Sequence, residues 1–391
     1  MNRQISLLTI ALVCLLNLSA CGKRSFFEAK DNSEPPAKLT SIKEKIDVRR
    51  VWQEDAGGGV GKLTLRLNAA LSGGQVFVAD YRGRLSAYTL DKGRRVWSVE
   101  TKKPLSAGPT VANGKVIVAS SEGDVLAHDA KTGKQLWKVR VTSEVLSAPS
   151  ISNSIVVIRS IDGVLTGLNI NTGGVLWHYR RRAPKLTIRG SSQPAIVGDL
   201  IYAGFDNGKI ACIRAFNGRV VWERTVSPVR GRTEIERLND IDADPLVHDG
   251  TMYVATYQGK LAAFNLTDVQ LLWTRKMSST KSMAIDSQNI YLTDDHSQVW
   301  AFNRQTGVSL WKQSGLRARK MTGPAVIGDY VVVGDFQGYL HWLDRRTGEI
   351  VGRYRGDSKG YIEAPITVGD RLIVYGKSGE LAVLRYKELK K

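Results

Sequence analysis

Cysteine is nearly missing from this 391-residue chain, and the three that exist are unevenly placed. Cys14 and Cys21 lie in the first 21 residues, so Cys212 stands alone in the remainder and an internal disulfide there is excluded. Cys212 sits between Ala211 and Ile213, which reads as a buried structural thiol. Proline is sparse, at 11, while glycine is abundant, at 38, and hydrophobic residues make up 42%. That balance describes a turn-rich globular chain and not a disordered one. The only long apolar run, Ile5–Leu16, is too short to cross a bilayer comfortably. The five histidines, 128, 178, 248, 296 and 341, are scattered without metal-ligand spacing, and no nucleophile elbow occurs.

Two tempting motifs also fail. Gly57-Gly-Gly-Val-Gly61-Lys62 has Ala56 where a phosphate loop begins and Leu63 where the magnesium-binding hydroxyl belongs. Asp240-Ile-Asp242-Ala-Asp244 offers alternating carboxylates, but Pro245 replaces the turn glycine of a calcium loop and Thr251 stands in for its bidentate glutamate. The sequence therefore suggests no catalytic residue, no metal ligand and no cofactor. Net charge is +19, and removal of a leader containing Arg3 would leave about +18. A basic surface of this kind suits anionic headgroups, and no nucleic-acid motif accompanies it.

What the chain has instead is one sentence repeated. Gly74–Trp97, Gly114–Trp137, Ser154–Trp177, Asp199–Trp222, Gly250–Trp273, Ser287–Trp311, Gly328–Gly352 and the stretch from Gly369 each read as short strands joined by glycine turns. An Asp or Asn, a Thr-Gly and then a tryptophan usually close the copy. Gly352 stands where the seventh tryptophan belongs, and the eighth copy stops before any tryptophan. A period near 40 residues is that of a four-stranded propeller blade, which must stack on neighbours to bury its faces. Val51-Trp52 precedes the first copy and supplies the strand the eighth lacks. The expectation is an all-β, eight-bladed β-propeller with four-stranded blades, its ring closed by N-terminal pairing with the C-terminal blade, which removes exposed edges.

The interval from one tryptophan position to the next copy is 17 residues at four junctions, but 22 from Trp177 to Asp199 and 28 from Trp222 to Gly250. Packing does not require the extra residues, and insertions at one rim of a propeller are where binding surfaces form. The first contains Leu186, Ile188 and Arg189, an alternating apolar pair beside a cation. The second contains Asp240 and Asp242. Both leave adjacent blades and can lie side by side.

The N-terminus Leu18-Ser19-Ala20-Cys21-Gly22 resembles a bacterial lipobox. The expected layout is a lipoprotein signal peptide over 1–20, acylated Cys21 and a flexible tether over 21–46, the propeller over 47–387 and a tail over 388–391. Gly22, with no Asp after the cysteine, resembles the pattern of lipoproteins carried to the outer membrane, and multiple acyl chains make such attachment nearly permanent.

The blade pattern looks like that of pyrroloquinoline-quinone dehydrogenases, but the adjacent Cys-Cys pair frequent in those enzymes is missing and no quinone loop is evident, so the shared fold does not carry the activity. The lipobox, the eight copies, Thr233–Asp242 and Gly334-Asp-Phe-Gln-Gly-Tyr-Leu-His-Trp342 more closely resemble the BamB family, propeller lipoproteins of the outer-membrane β-barrel assembly machinery. That resemblance implies a non-catalytic scaffold on the periplasmic face of the outer membrane. It would bind the POTRA region of BamA, aid barrel insertion and could meet nascent outer-membrane proteins. It also implies partner contacts at Leu186, Ile188, Arg189, Asp240 and Asp242. Thr187 and Ile188 depart mildly from the commoner family residues. The two aspartates would either receive partner cations or hold the first loop. A quinone-dependent propeller enzyme and a scaffold for other envelope partners are the competing readings.

Overall fold

The structure, a computed structural model, describes residues 34–61, 65–181, 192–206, 208–228, 233 and 239–389. Among them there is no helix, and the strands group into eight sheets. Blades 1 to 7 are antiparallel meanders in chain order, beginning at Ala70, Leu105, Ser150, Ala195, Leu246, Ala284 and Ala325. Blade 8 takes three strands from Ile366–Val368, Arg371–Tyr375 and Glu380–Glu388. Its outer strand is Ile46–Asp55, paired antiparallel from Ile46 opposite Glu388 to Asp55 opposite Glu380. The closure expected from Val51-Trp52 is therefore what joins the two ends of the chain. The sixth copy, degraded in sequence at Asp294–Gln298, still forms a complete four-stranded blade.

The repeated residues have one job each. The Asp or Asn caps the turn between the third and fourth strands: Asp129 Oδ1 accepts from the Thr132 amide and hydroxyl, both at 2.8 Å, and Asn303 and Asp344 do the same for Thr306 and Thr347. The following glycine leaves room for an indole from the preceding blade. A Cβ on Gly133 would lie 2.7 Å from the ring of Trp97, and one on Gly173 2.7 Å from Trp137. The indole N–H then donates to a carbonyl of the same turn: Trp97 to Ala130, Trp137 to Ile170, Trp177 to Ala215, Trp273 to Arg304 and Trp311 to Arg345, at 2.7–3.0 Å. Tryptophan and Thr-Gly are thus two halves of one interblade joint.

This joint explains the missing seventh tryptophan. Blade 8 has no turn between its third and fourth strands, because they come from opposite ends of the chain. A tryptophan on blade 7 would have no turn to dock on. Gly352 faces Ile46 instead, whose side chain would meet a Cβ there at 2.6 Å. The Gly57–Gly61 stretch likewise belongs to closure. Val60 N donates to Lys377 O and Tyr81 N to Gly59 O, so the loop ties the turn between the second and third strands of blade 1 to the corresponding turn of blade 8. A Cβ on Gly59, at φ 58°, would collide with the Lys377 carbonyl.

Candidate functional site

In a meander of this kind, the links between blades and the turns between second and third strands share one rim. The two insertions leave that rim at blades 3 to 5. Leu186, Ile188 and Arg189 lie outside the described residues; the ends of both insertions, and Asp240 and Asp242, are within them.

The ends are held by a buried polar cluster. Arg159 closes the second strand of blade 3, where the other blades carry Ala79, Ala119, Gly204, Ala255, Thr293, Gly334 and Tyr375. Its guanidinium donates to Asp206 Oδ1 at 2.6 Å, in the next blade's turn, and to Ser192 Oγ at 2.8 Å, where the first insertion rejoins the fold. It also lies 5.6 Å over the Phe205 ring. Nearby, Arg181 at the start of the insertion pairs with Glu223 at 2.8 Å, binding the outer strands of blades 3 and 4 together.

The second insertion rejoins through Asn239–Asp244. Here the alternation of an extended chain puts Ile241 into the apolar contact of blades 4 and 5 and Ala243 into that of blades 5 and 6, both fully buried. Ile241 fills the space a side chain on Gly204 would need. The backbone is fixed by Tyr257 N donating to Asp240 O at 2.9 Å and Ile241 N donating to Phe205 O at 3.3 Å. Asp240 and Asp242 are only 1% and 4% exposed. The Asp242 oxygens accept no hydrogen bond. Burial, with Asp240 and Asp206 adding like charge, pushes its carboxyl up to about 7, against the opposing pull of Arg159 and Arg66. Asp206 is also raised, by burial, with Arg159 opposing.

Asp244 faces the axis. It receives both guanidinium nitrogens of Arg66 at 2.8 Å and the Gln193 amide at 2.6 Å. Arg66 also approaches Glu363 at 3.5 Å. Arg66-Leu67 adds a short parallel strand to blade 2, at Ala107-Gly108, which points Arg66 across the channel. Beside it is a polar cavity of about 340 Å³ lined by Asn68, Thr110, Gln193, Ser282 and Glu363 among others. The axial polar groups engage one another, and among the described residues no group of metal-ligating side chains converges there.

Sequence reasoning missed Arg159, Asp206, Arg66 and Glu363. For Arg159 a signal existed: aligning the copies places an arginine where seven others end in a small, hydroxyl or aromatic residue.

Residues 81–313 match the family model described as outer membrane protein assembly factor BamB. The chain is 48% identical, over 379 residues and 97% of each chain, to the outer membrane protein assembly factor BamB of Alkalilimnicola ehrlichii. It superposes on the crystal structure of BamB from Moraxella catarrhalis with a TM-score of 0.79 and 27% identity, covering 87% of this chain and all of that one. A europium-containing methanol dehydrogenase superposes at 0.67 with 14% identity, covering 86% and 93%, a likeness of fold alone.

Proposed function

The chain belongs to the family of the outer membrane protein assembly factor BamB, and on that premise we propose that it is a non-catalytic scaffold lipoprotein of the outer-membrane assembly machinery that grips the POTRA region of BamA with its two insertions. The carrying observation is the buried joint of Arg159, Asp206, Ser192 and Asn239–Asp244, which roots both insertions in adjacent blades at one rim. A rigid base lowers the ordering cost of a loop that binds.

In this reading Leu186 and Ile188 supply apolar burial against the partner and Arg189 a charge-assisted hydrogen bond. Asp240 and Asp242, with their near-complete burial, order the loop base instead of meeting the partner directly. Cys21 carries the lipid, and the tether expected over 21–46 links the anchor to the propeller on the periplasmic face of the outer membrane, its last part fastened to the fold through Ala37, Thr40 and Lys45. The oxidoreductase reading is disfavoured by the axis itself, where Arg66, Asp244 and Glu363 bridge the channel.

The test is co-purification of BamA with the full-length protein. Leu186→Glu and Arg189→Glu should abolish it while thermal unfolding stays unchanged. Intact co-purification with either variant would place the interface elsewhere. Replacement of Cys21 by Ala should release the protein from the membrane fraction; continued membrane association would refute the anchor.

A further inference from the structure

The rim opposite the insertions is built from the turns between first and second strands and those between third and fourth strands. On blades 4 to 8 the arginines beside these turns are matched by carboxylates. Arg214 pairs with Asp199 at 2.9 Å, Arg304 with Asp249 at 2.7 Å, Arg345 with Asp329 at 3.2 Å and Arg385 with Asp370 at 3.0 Å. In each pair the carboxylate comes from a turn between first and second strands.

Blades 1 and 2 break this pattern. Their corresponding turns are Gly73-Gly74 and Asn113-Gly114, which hold no carboxylate. Yet their part of the rim carries six cations, Lys92, Arg94 and Arg95 on blade 1 and Lys115, Lys131 and Lys134 on blade 2. Five are exposed and Lys115 is half-buried. Among the described residues none of the six is paired with a carboxylate. The acids of these turns are Asp91 and Asp129, and Asp129 Oδ1 is occupied by the amides of Lys131 and Thr132 and by the Thr132 hydroxyl. The two turns form one fixed surface, because Trp97 on blade 1 lies against Gly133 and donates to Ala130 O at 2.9 Å. Beside them the outer strands begin with Val96 and Leu136, 41% and 45% exposed.

We propose that this rim of blades 1 and 2 is a docking surface for an anionic phospholipid leaflet, and that it turns the rim bearing the insertions away from the lipid. The cations sit on short turns with no pocket between them, which suits a plane of phosphates and not a single small anion. Each cation near such a leaflet contributes roughly a fivefold factor to binding. Exposed charges act over only about 8 Å at physiological ionic strength, so the surface works once the protein is already held close. Val96 and Leu136 give the patch an apolar component that a purely polar polyanion would leave unused. The inference rests on attachment to the membrane and not on the grip on BamA. Its effect is on orientation, since the lipid at Cys21 supplies the attachment.

The experiment reconstitutes the full-length lipoprotein in vesicles of phosphatidylcholine with or without phosphatidylglycerol, including a brominated phospholipid as quencher. A fluorophore is placed by Gln135→Cys, beside the patch, or by Gln305→Cys, on the equivalent turn of blade 6; both sites are exposed, and Cys212 is buried away from the label. Flotation with either vesicle reports attachment separately from the quenching. Position 135 should be quenched at least threefold more in the anionic vesicles than in the neutral ones, and position 305 equally in both. High salt should abolish the difference. So should the combined variant Lys92→Glu, Arg94→Glu, Lys131→Glu, Lys134→Glu, with flotation and BamA co-purification unchanged; the same four positions as Gln serve if the reversed charges disturb folding. Equal quenching of position 135 in the two vesicles, or quenching that survives both variants, would overturn the proposal. So would loss of binding to isolated peptidoglycan by the variants with no change in quenching, which would assign the patch to the cell wall.

Discussion

Trp52 and Gly93 close the ring. Trp52 arrives from the N-terminus on the outer strand of blade 8, and its indole sits against the glycine of blade 1, where a Cβ would come within 2.7 Å. Its Nε1 donates to Leu90 O at 2.9 Å. This is the joint that Trp97, Trp137, Trp177, Trp273 and Trp311 make between other blades, but here it fastens the first and last parts of the chain.

Breaking it should act on global stability. Gly93→Ala meets both the indole and a φ of 67°, so a loss of about 1–3 kcal/mol is expected. Trp52→Ala removes a buried aromatic and should cost about 3–5 kcal/mol. Denaturant unfolding checks both. If Gly93→Ala is neutral while the equivalent Gly173→Ala is not, the closing joint is not equivalent to the internal ones.

Blade 5 offers the opposite sign. At the turn position where other blades carry glycine it has Val269, held at φ 58°. A β-branched residue there is strained. Trp222, which should dock on this turn, is only partly buried. Val269→Gly relieves the strain against the greater entropy of an unfolded glycine, so it should raise stability by up to about 1 kcal/mol, whereas Gly307→Val on blade 6 should be strongly destabilising. A clear loss of melting temperature in Val269→Gly would refute the strain.

The blades were legible in the sequence because turn chemistry is local: Asp129, Thr132 and Gly133 show their purpose within five residues. The ring count followed from Val51-Trp52. What was hidden depends on residues far apart. Nothing near Gly352 announces that the next blade lacks a turn, and Gly57–Gly61 looks like a phosphate loop until Lys377 is placed beside it. Arg66 gave no signal, since its partners Asp244 and Glu363 are 178 and 297 positions away. The alternating aspartates offered two roles in the sequence, receiving partner cations or holding the first loop, and nothing local shows that they are buried. Their burial comes from Ile241 and Ala243, whose alternation anchors the segment between blades.

Arg159 and Asp206 form a buried pair, and such a pair matters most when half of it is removed. Arg159→Met leaves Asp206 buried without its counter-charge and should cost about 3–5 kcal/mol. Arg159→Met with Asp206→Leu should recover most of that loss. If the double variant regains stability but loses BamA, the pair specifies loop placement; if it regains both, the pair is replaceable packing. Thermal unfolding and co-purification read the two effects separately.

Asp242 gives the fold a pH dependence whose sign is opposite to that of a salt-bridged carboxylate. Its carboxyl titrates near 3.8 when unfolded and is pushed up to about 7 when folded, so the folded state binds the extra proton between these values. Its contribution is therefore most favourable at low pH and is lost as pH rises from about 4 to 7. At about 1.36 kcal/mol per unit, the loss is at most about 4 kcal/mol. Asp242→Asn removes the charged form, so it should unfold at a higher temperature than the parent at pH 8 and show little advantage at pH 5. Paired melting curves across that range test the assignment, and parallel pH profiles for parent and variant would show that Asp242 keeps an ordinary carboxylate affinity for protons.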